Sequence, residues 1–227
     1  MTLYERFEQD IRFEEGLKAC MNCGICTAIC PAAEFFDYDP RVLLNIVQTK
    51  DEVQIELLLK SDFIWNCGQC MSCKTRCPRG NFPGIIINVL RKVSQELGYF
   101  TESRKGQQQY ALMQTVGKNI LNFGYCIHPS IVKPEMHPEQ GPVWEWVFEN
   151  QQEVFKRLGA NLNKSGSGAM RKISDEALSE LKSIFDATGG TQLWENIERY
   201  SKEKAQKEGY ATDESGMNSY FDDIYKK

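Results

Sequence analysis

An all-α fold is predicted for this chain by three observations. Apolar residues recur at three- and four-residue spacing in several segments. Residues that favour helix N-caps stand just ahead of those segments. No segment alternates apolar and polar residues as a half-buried strand does. The 227 residues suffice for one large domain or two small ones, and the 41% hydrophobic content is enough for a core.

The elements follow in chain order. Asp39-Pro40 reads as an N-cap followed by proline at the first helical position. Val42, Leu43, Ile46 and Val47 then recur at helical spacing. Residues 52–60 repeat the pattern with Ile55, Leu58 and Leu59. Pro83 opens a further helix with a stripe of Ile86, Val89, Leu90, Val93 and Leu97, read as core packing, and Gly98 as its stop. Helical patterns continue over 103–122, 139–158, 174–188 and 191–208, with Ser174 and Thr191 as N-caps and Gly189-Gly190 between the last two. Trp144, Val147, Phe148, Gln151 and Phe155 share one broad face, which suits either core packing or docking of a partner protein. Residues 163–168 have linker composition. The stretch after Gly209 mixes charge, Gly and Ser with Tyr210, Tyr220, Phe221 and Tyr225. It reads as a flexible tail, with a clip that orders on a partner as the alternative. The expected division is a cysteine-bearing domain over 1–100, a helical extension over 101–208 that packs on it or on partners, and a tail over 209–227.

The cysteines carry the chemistry. Eight of the nine fall into two runs, Cys20-Met-Asn-Cys23-Gly-Ile-Cys26-Thr-Ala-Ile-Cys30-Pro31 and Cys67-Gly-Gln-Cys70-Met-Ser-Cys73-Lys-Thr-Arg-Cys77-Pro78. Both are C-x2-C-x2-C-x3-C-P, the bacterial ferredoxin run for cubane [4Fe–4S] clusters. Three thiolates at this pitch let one short loop wrap three corners of a cube. The loop's backbone N–H groups can then face the sulfurs and offset their charge. The fourth cysteine comes one residue later and the proline turns the chain away. In two-cluster proteins that cysteine ligates the other cube. The expected sets are therefore Cys20, Cys23, Cys26 and Cys77 for one cluster, and Cys67, Cys70, Cys73 and Cys30 for the other. Structural zinc is the competing reading, but a zinc site has no use for a third cysteine at the same pitch. Disulfides fit less well with an odd count and tight clustering. The 36 residues between the runs (31–66) hold two helical patterns where β-hairpin ferredoxins have a short connection, which points to an α-helical ferredoxin. Cys126 lies outside both runs and reads as a small buried apolar residue. The alternative is a redox or metal thiol with His128 and His137, the only histidines.

Several functions are excluded by composition. The formal charge of −4 argues against a protein built to bind nucleic acid. No Gly-rich dinucleotide or phosphate loop is present, and two histidines leave little room for His-based acid–base catalysis, so no catalytic residue is assigned. The longest apolar stretch, Ile85-Ile86-Ile87, is interrupted by Asn88, far short of a membrane span. The opening MTLYERFEQDIRFEEG lacks a secretory hydrophobic region, so a cytoplasmic location is expected. What remains is one-electron transfer. Lys74, Arg76 and Arg79 line the second loop while Glu34, Asp37 and Asp39 follow the first. That asymmetry either separates the two potentials or is a set of solvated loop charges.

The two runs with a helical insert, followed by Arg79-Gly80 and a helix containing Leu90-Arg91, resemble the C subunit of heterodisulfide reductase over about residues 15–100, and more loosely to about 200. The resemblance implies an α-helical ferredoxin with two [4Fe–4S] clusters and all eight family ligands in place. It implies a hetero-oligomer in which this chain relays electrons between two partners. One is the A subunit, which contains flavin. The other is the cysteine-rich B subunit, which handles the disulfide. The C-terminal region is longer than expected of the methanogen type, which acts on a coenzyme M–coenzyme B disulfide. In this it looks more like the related complex of sulfur-oxidising prokaryotes, which works on sulfur carried by a lipoate-binding protein. The alternatives are a relay component of a glycolate or glycerol-phosphate dehydrogenase, which shares the cysteine motifs, and an iron–sulfur sensor without a relay role.

Overall fold

The structure, a computed structural model, describes residues 1–130, 132–211 and 218–226. Among them no strand occurs, so the all-α expectation holds. The chain divides into two compact units. One is built from residues 1–109 with the described residues of 195–227, and the other from Tyr110–Trp194.

The first unit starts with two short capped helices that the hydrophobic pattern did not reveal. In α1 (Leu3–Glu8), Thr2 Oγ1 accepts from Glu5 N at 3.1 Å and Glu5 Oε2 accepts from Thr2 N at 2.8 Å, a capping box. In α2 (Ile11–Gly16), Asp10 is the N-cap, accepting from the backbone of Arg12 at 3.1 Å and from its guanidinium at 2.8 and 2.6 Å. Short helices α3 (Ile25–Ala28) and α4 (Ala32–Phe35) follow, then α5 (Pro40–Thr49) and α6 (Glu52–Leu59), capped by Asp39 and Asp51. Next come α7 (Ser72–Arg76), α8 (Pro83–Glu96) and the first part of α9 (Arg104–Leu112), whose residues from Tyr110 on belong to the second unit.

Helix α8 is the axis of this unit. It packs against α1, α2, α5, α6 and α7. Ile86, Val89, Leu90 and Val93 are buried as the stripe requires, and Ile87 is buried as well because neighbours cover more than one side. Leu97 is only half-buried, where the helix ends ahead of Gly98 in the left-handed region. On α5 the buried face is Leu43, Leu44 and Val47, while Val42 is 41% exposed. The face is thus turned by one residue from that read in the sequence. Ile55, Leu58 and Leu59 of α6 are all buried, and Ser94 Oγ donates to the Leu59 carbonyl at 2.8 Å. The start of α8 is tied to the end of α2: Phe82 N donates to Gly16 O at 2.8 Å, and Lys18 N donates to Asn81 Oδ1 at 2.7 Å. A Cβ on Gly16 would stand 2.4 Å from Ile85 Cγ2, so this close approach needs glycine.

The same unit includes much of α14 (Gly190–Lys207), with Ile197, Ser201 and Ala205 buried, and α15 (Ser219–Lys226). The stretch read as a flexible tail is therefore helical over 219–226. Tyr220, Phe221 and Ile224 are buried, and Arg104 Nη1 pairs with Asp223 Oδ2 at 2.9 Å. The aromatics read as a partner clip pack on this chain's own unit. Residues 212–217 lie outside the described residues.

The second unit contains a π-helical turn (Met113–Gly117), α10 (Lys118–Phe123), α11 (Gly141–Glu149), α12 (Gln151–Arg157) and α13 (Asp175–Thr188). The pattern over 139–158 is thus two helices broken at Asn150. Trp144, Val147 and Phe148 are half-buried, and Val143 and Trp146 are 71% and 52% exposed. Ser174 caps α13 as expected, accepting from Ala177 N at 3.2 Å. Thr191 does not cap α14: it lies inside the first turn and its hydroxyl donates back to Asp186. The segment of linker composition is folded back on itself, with Asn161 N donating to Ala169 O at 2.8 Å and Lys172 N to Lys164 O at 3.0 Å.

The first unit's stability should respond to two substitutions in different ways. Asp10→Asn should lower stability at neutral pH by about 1–2 kcal/mol, because it removes charge from contacts with Arg12 and Lys92. The Arg12 side-chain hydrogen bonds are the main reason the folded Asp10 carboxyl lies well below its ordinary value. Its contribution is therefore present above about pH 4, the unfolded value, and is lost as pH falls through the lower folded value. The gap in thermal midpoint between wild type and variant should close across that acid window. Gly16→Ala should cost about 1–3 kcal/mol through overpacking against Ile85 and Ile86, read as a lowered midpoint at every pH.

Candidate metal centre

The two cysteine loops are built alike. In the first, Asn22 and Gly24 have φ of 61° and 79°, and in the second Gln69 and Met71, at the same positions of the run, have 55° and 60°. These left-handed residues curl the backbone so that an N–H turns back onto the first sulfur. Asn22 N donates to Cys20 Sγ at 3.4 Å and Gln69 N to Cys67 Sγ at 3.3 Å. The left-handed residue directly ahead of α3 is Gly24, and directly ahead of α7 it is Met71. Met71 carries a Cβ at some cost, and its thioether lies over Gly84, where an added Cβ would stand 2.7 Å from Sδ.

Helices α3 and α7 pack against each other, which brings the two loops together. Two cysteine-lined cavities result. The first is lined by Cys20, Cys23, Cys26 and Cys77. The second is lined by Cys30, Cys67, Cys70 and Cys73, and also by Cys26. Their empty volumes are about 350 and 380 Å³. In each, the fourth cysteine of one run has crossed to the other run's three. Cys26 and Pro83 line both cavities, so the two share a wall.

The surroundings suit a negatively charged group with sulfur ligands. The second cavity is walled by Ile29, Pro31, Pro40 and Ile87. Burial pushes the Cys26 and Cys73 thiols up, whereas the Ser72 backbone N–H and then its hydroxyl pull Cys70 down toward thiolate. Asn81 N donates to Cys77 Sγ at 3.3 Å. Each cavity also has a buried donor with no hydrogen-bond partner apart from the cysteine sulfurs, and Cys67 lies within reach of the Tyr38 hydroxyl. At the second it is the Tyr38 hydroxyl, and at the first it is Asn81 Nδ2, which is fixed as the donor because Oδ1 accepts from Lys18 N. Buried donors left open toward four thiolates are what a site for a sulfide-bearing cluster would show. Among the described residues no three His, Cys, Asp or Glu side chains converge as ligands of a single ion. Tetrahedral zinc, with Zn–S near 2.3 Å, needs its sulfurs within about 4 Å of one another.

Tyr38, Asn81 and Arg91 do not stand out as site residues in the sequence. Arg91 was legible only as part of the resemblance. Its Nε and Nη2 donate to the carbonyls of Ile64 and Cys67, both at 2.8 Å. The loop charges fall differently from their sequence order: Lys74, Arg76 and Arg79 are exposed, and Arg79 lines the first cavity beside Cys77. Asp39 accepts from Thr27 and Arg41. Cys126 is exposed rather than buried, and its carbonyl accepts from Asn119 Nδ2 at 3.2 Å. His128 is buried, stacked on Phe123 at 3.9 Å and bonded to Asn163 at 3.0 Å. No metal site joins the three residues Cys126, His128 and His137 among those described.

Residues 15–81 match the family described as a 4Fe-4S dicluster domain, so the cofactors are iron–sulfur clusters, and a dicluster domain accords with two. The chain is 30% identical to the C subunit of a ferredoxin:CoB-CoM heterodisulfide reductase from Methanosarcina acetivorans, over 96% of this chain and 81% of the relative. It is 26% identical to the C subunit of an H(2):CoB-CoM heterodisulfide,ferredoxin reductase from Methanothermobacter thermautotrophicus, over 70% of this chain and 92% of the relative. A third relative, an iron–sulfur component of a CoB–CoM heterodisulfide reductase from Methanocaldococcus jannaschii, is 34% identical over half of this chain and 54% of its own length. The first alignment covers 219 residues and so runs through the C-terminal region, whereas the Methanothermobacter relative, covered over 92% of its own length, matches only 70% of this chain. With near-full coverage and the paired cysteine runs in place, the chain belongs to the family of heterodisulfide reductase C subunits.

Proposed function

We propose that this chain is the electron relay of a heterodisulfide reductase-like complex, set between the flavin-containing A subunit, on one side, and the cysteine-rich B subunit, on the other. The observation that carries it is the pair of cysteine-lined cavities sharing a wall at Cys26, in a member of this family. Cys20, Cys23, Cys26 and Cys77 would hold one [4Fe–4S] cluster, and Cys67, Cys70, Cys73 and Cys30 the other. Such clusters supply reversible one-electron transfer. The chain's own residues do the rest. The crossed cysteines hold the two sites adjacent. Backbone N–H groups of Asn22, Gln69 and Asn81 offset thiolate charge. Pro40 and Ile87, both buried, limit water on their side of the second site. No described helix is long and apolar enough to cross a membrane. Eight clustered thiols fit a reducing compartment, the cytoplasm.

The relatives aligned over most of this chain are named for CoB-CoM heterodisulfide, which favours a disulfide as the complex's substrate. The C-terminal length that suggested the sulfur-oxidising type is shared with the Methanosarcina acetivorans relative, so it does not single out that type.

Two measurements test this reading. Cys30→Ser should disturb the site built by the second run, and Cys77→Ser the site built by the first, each lowering iron and labile sulfide by about half. Loss confined to the variant's own run would overturn the crossed grouping. Anaerobic co-purification of the tagged chain should recover a flavoprotein and a second cysteine-rich protein. Recovery of a lipoate-binding protein with them would replace disulfide reduction by sulfur oxidation. Recovery with a hydroxy-acid or glycerol-phosphate dehydrogenase, or of the chain alone, would overturn the assignment.

A further inference from the structure

Arg41 and Arg79 line the first cavity, whereas Arg91 lines neither and adjoins the second through the Cys67 carbonyl. Its guanidinium is anchored to the carbonyls of Ile64 and Cys67 and lies 5.2 Å from the centre of the Trp65 ring. Both anchors are carbonyls, not carboxylates, and among the described residues no carboxylate forms an ion pair with it. Burial weakens its hold on the proton, while an ionised Cys67 sulfur favours the cation. At the first cavity the cations are compensated or screened. Arg41 Nη2 is 2.7 Å from Asp39 Oδ2, and Arg79 is exposed to solvent. The neutral donors are balanced, with the Tyr38 hydroxyl at one site and Asn81 Nδ2 at the other. The half-buried uncompensated charge is what separates the two.

We infer that Arg91 holds the cluster at Cys30, Cys67, Cys70 and Cys73 at the higher reduction potential, the Tyr38 hydroxyl there offsetting Asn81 Nδ2 at the first site, so that an electron shared between the two sites rests there. This rests on the proposed ligand grouping. A cluster gains negative charge on reduction, and a nearby cation in a poorly screened setting favours that state. A hydroxyl donated to a ligand or bridging sulfur acts in the same direction. One electron leaves the first site and enters the second, with no bond made or broken and no further reactant required. Arg91 and Tyr38 are positioning residues, since their effect passes through the cluster environment.

The test is a redox titration followed by electron paramagnetic resonance on the full chain carrying both clusters. Cys70→Ser assigns the signals, because it alters or removes the one from the second site. Arg91→Gln should lower that site's midpoint by about tenfold in its reduction equilibrium, about 59 mV for one electron, and leave the other unmoved. Arg91→Lys, which keeps the charge but not the two-carbonyl anchor, should retain most of the wild-type value. Tyr38→Phe should lower the same midpoint while keeping the ring contact with Phe63 at 4.8 Å. The inference is overturned if the higher midpoint belongs to the first site, if Arg91→Gln and Tyr38→Phe leave both midpoints in place, or if Arg91→Lys shifts as far as Arg91→Gln. Iron and labile sulfide content separate the two levels. A wild-type chain that cannot hold two cubanes fails the underlying grouping, whereas full content with unmoved midpoints fails only the role of Arg91 and Tyr38.

Discussion

The side-by-side packing of α3 and α7 is the contact on which the rest of the first unit depends. Each helix follows a left-handed turn that wraps three cysteines, and each run sends its fourth cysteine to the other's cavity. Neither cavity can form from one loop. The long helix α8 is therefore placed with its N-terminus, at Pro83, against both. The hydrogen bonds from Phe82 to Gly16 and from Lys18 to Asn81 hold that end in register with the first loop. Burial of Ile86, Ile87, Val89, Leu90 and Val93 stabilises the arrangement from below.

A second theme is the management of charge at sulfurs that are half-buried, or, at Cys23 and Cys70, exposed. The sulfurs are met by backbone N–H groups, by Ser72 beside Cys70, and by buried donors that find no other acceptor. Unsatisfied donors in a well-packed interior are costly, and thiolate or sulfide sulfur facing them offers an acceptor. The buried Pro40 and Ile87 deepen these interactions by lowering local screening.

Much of this was legible in the sequence. The cysteine spacing identified the site chemistry, and the capped pattern at Asp39-Pro40 and the stripe on α8 located the supporting helices. Three kinds of feature were not. Helices α1 and α2 are too short for periodicity to register, and only their capping residues signal them. Tyr38, Asn81 and Arg91 are single polar residues whose meaning lies in what three-dimensional packing leaves them facing. The fate of 219–226 turned on tertiary burial: its charge and sparse aromatics read as a tail, yet Tyr220, Phe221 and Ile224 sit on one face of α15 and are covered. Thr191 failed as a cap because Gly189 already ends α13 in the left-handed region and α14 begins at once.

The crossing of the fourth cysteines also bears on how the protein is made. As the nascent chain leaves the ribosome, residues 20–30 emerge first, yet the cavity they begin lacks Cys77 until the whole second run has followed. Three thiols stay one short of a full set through the synthesis of α5 and α6. With the proposed ligand grouping, metallation would wait on completion of the fold, and a chain truncated before the second loop would have no finished site to protect from oxygen or from the wrong metal.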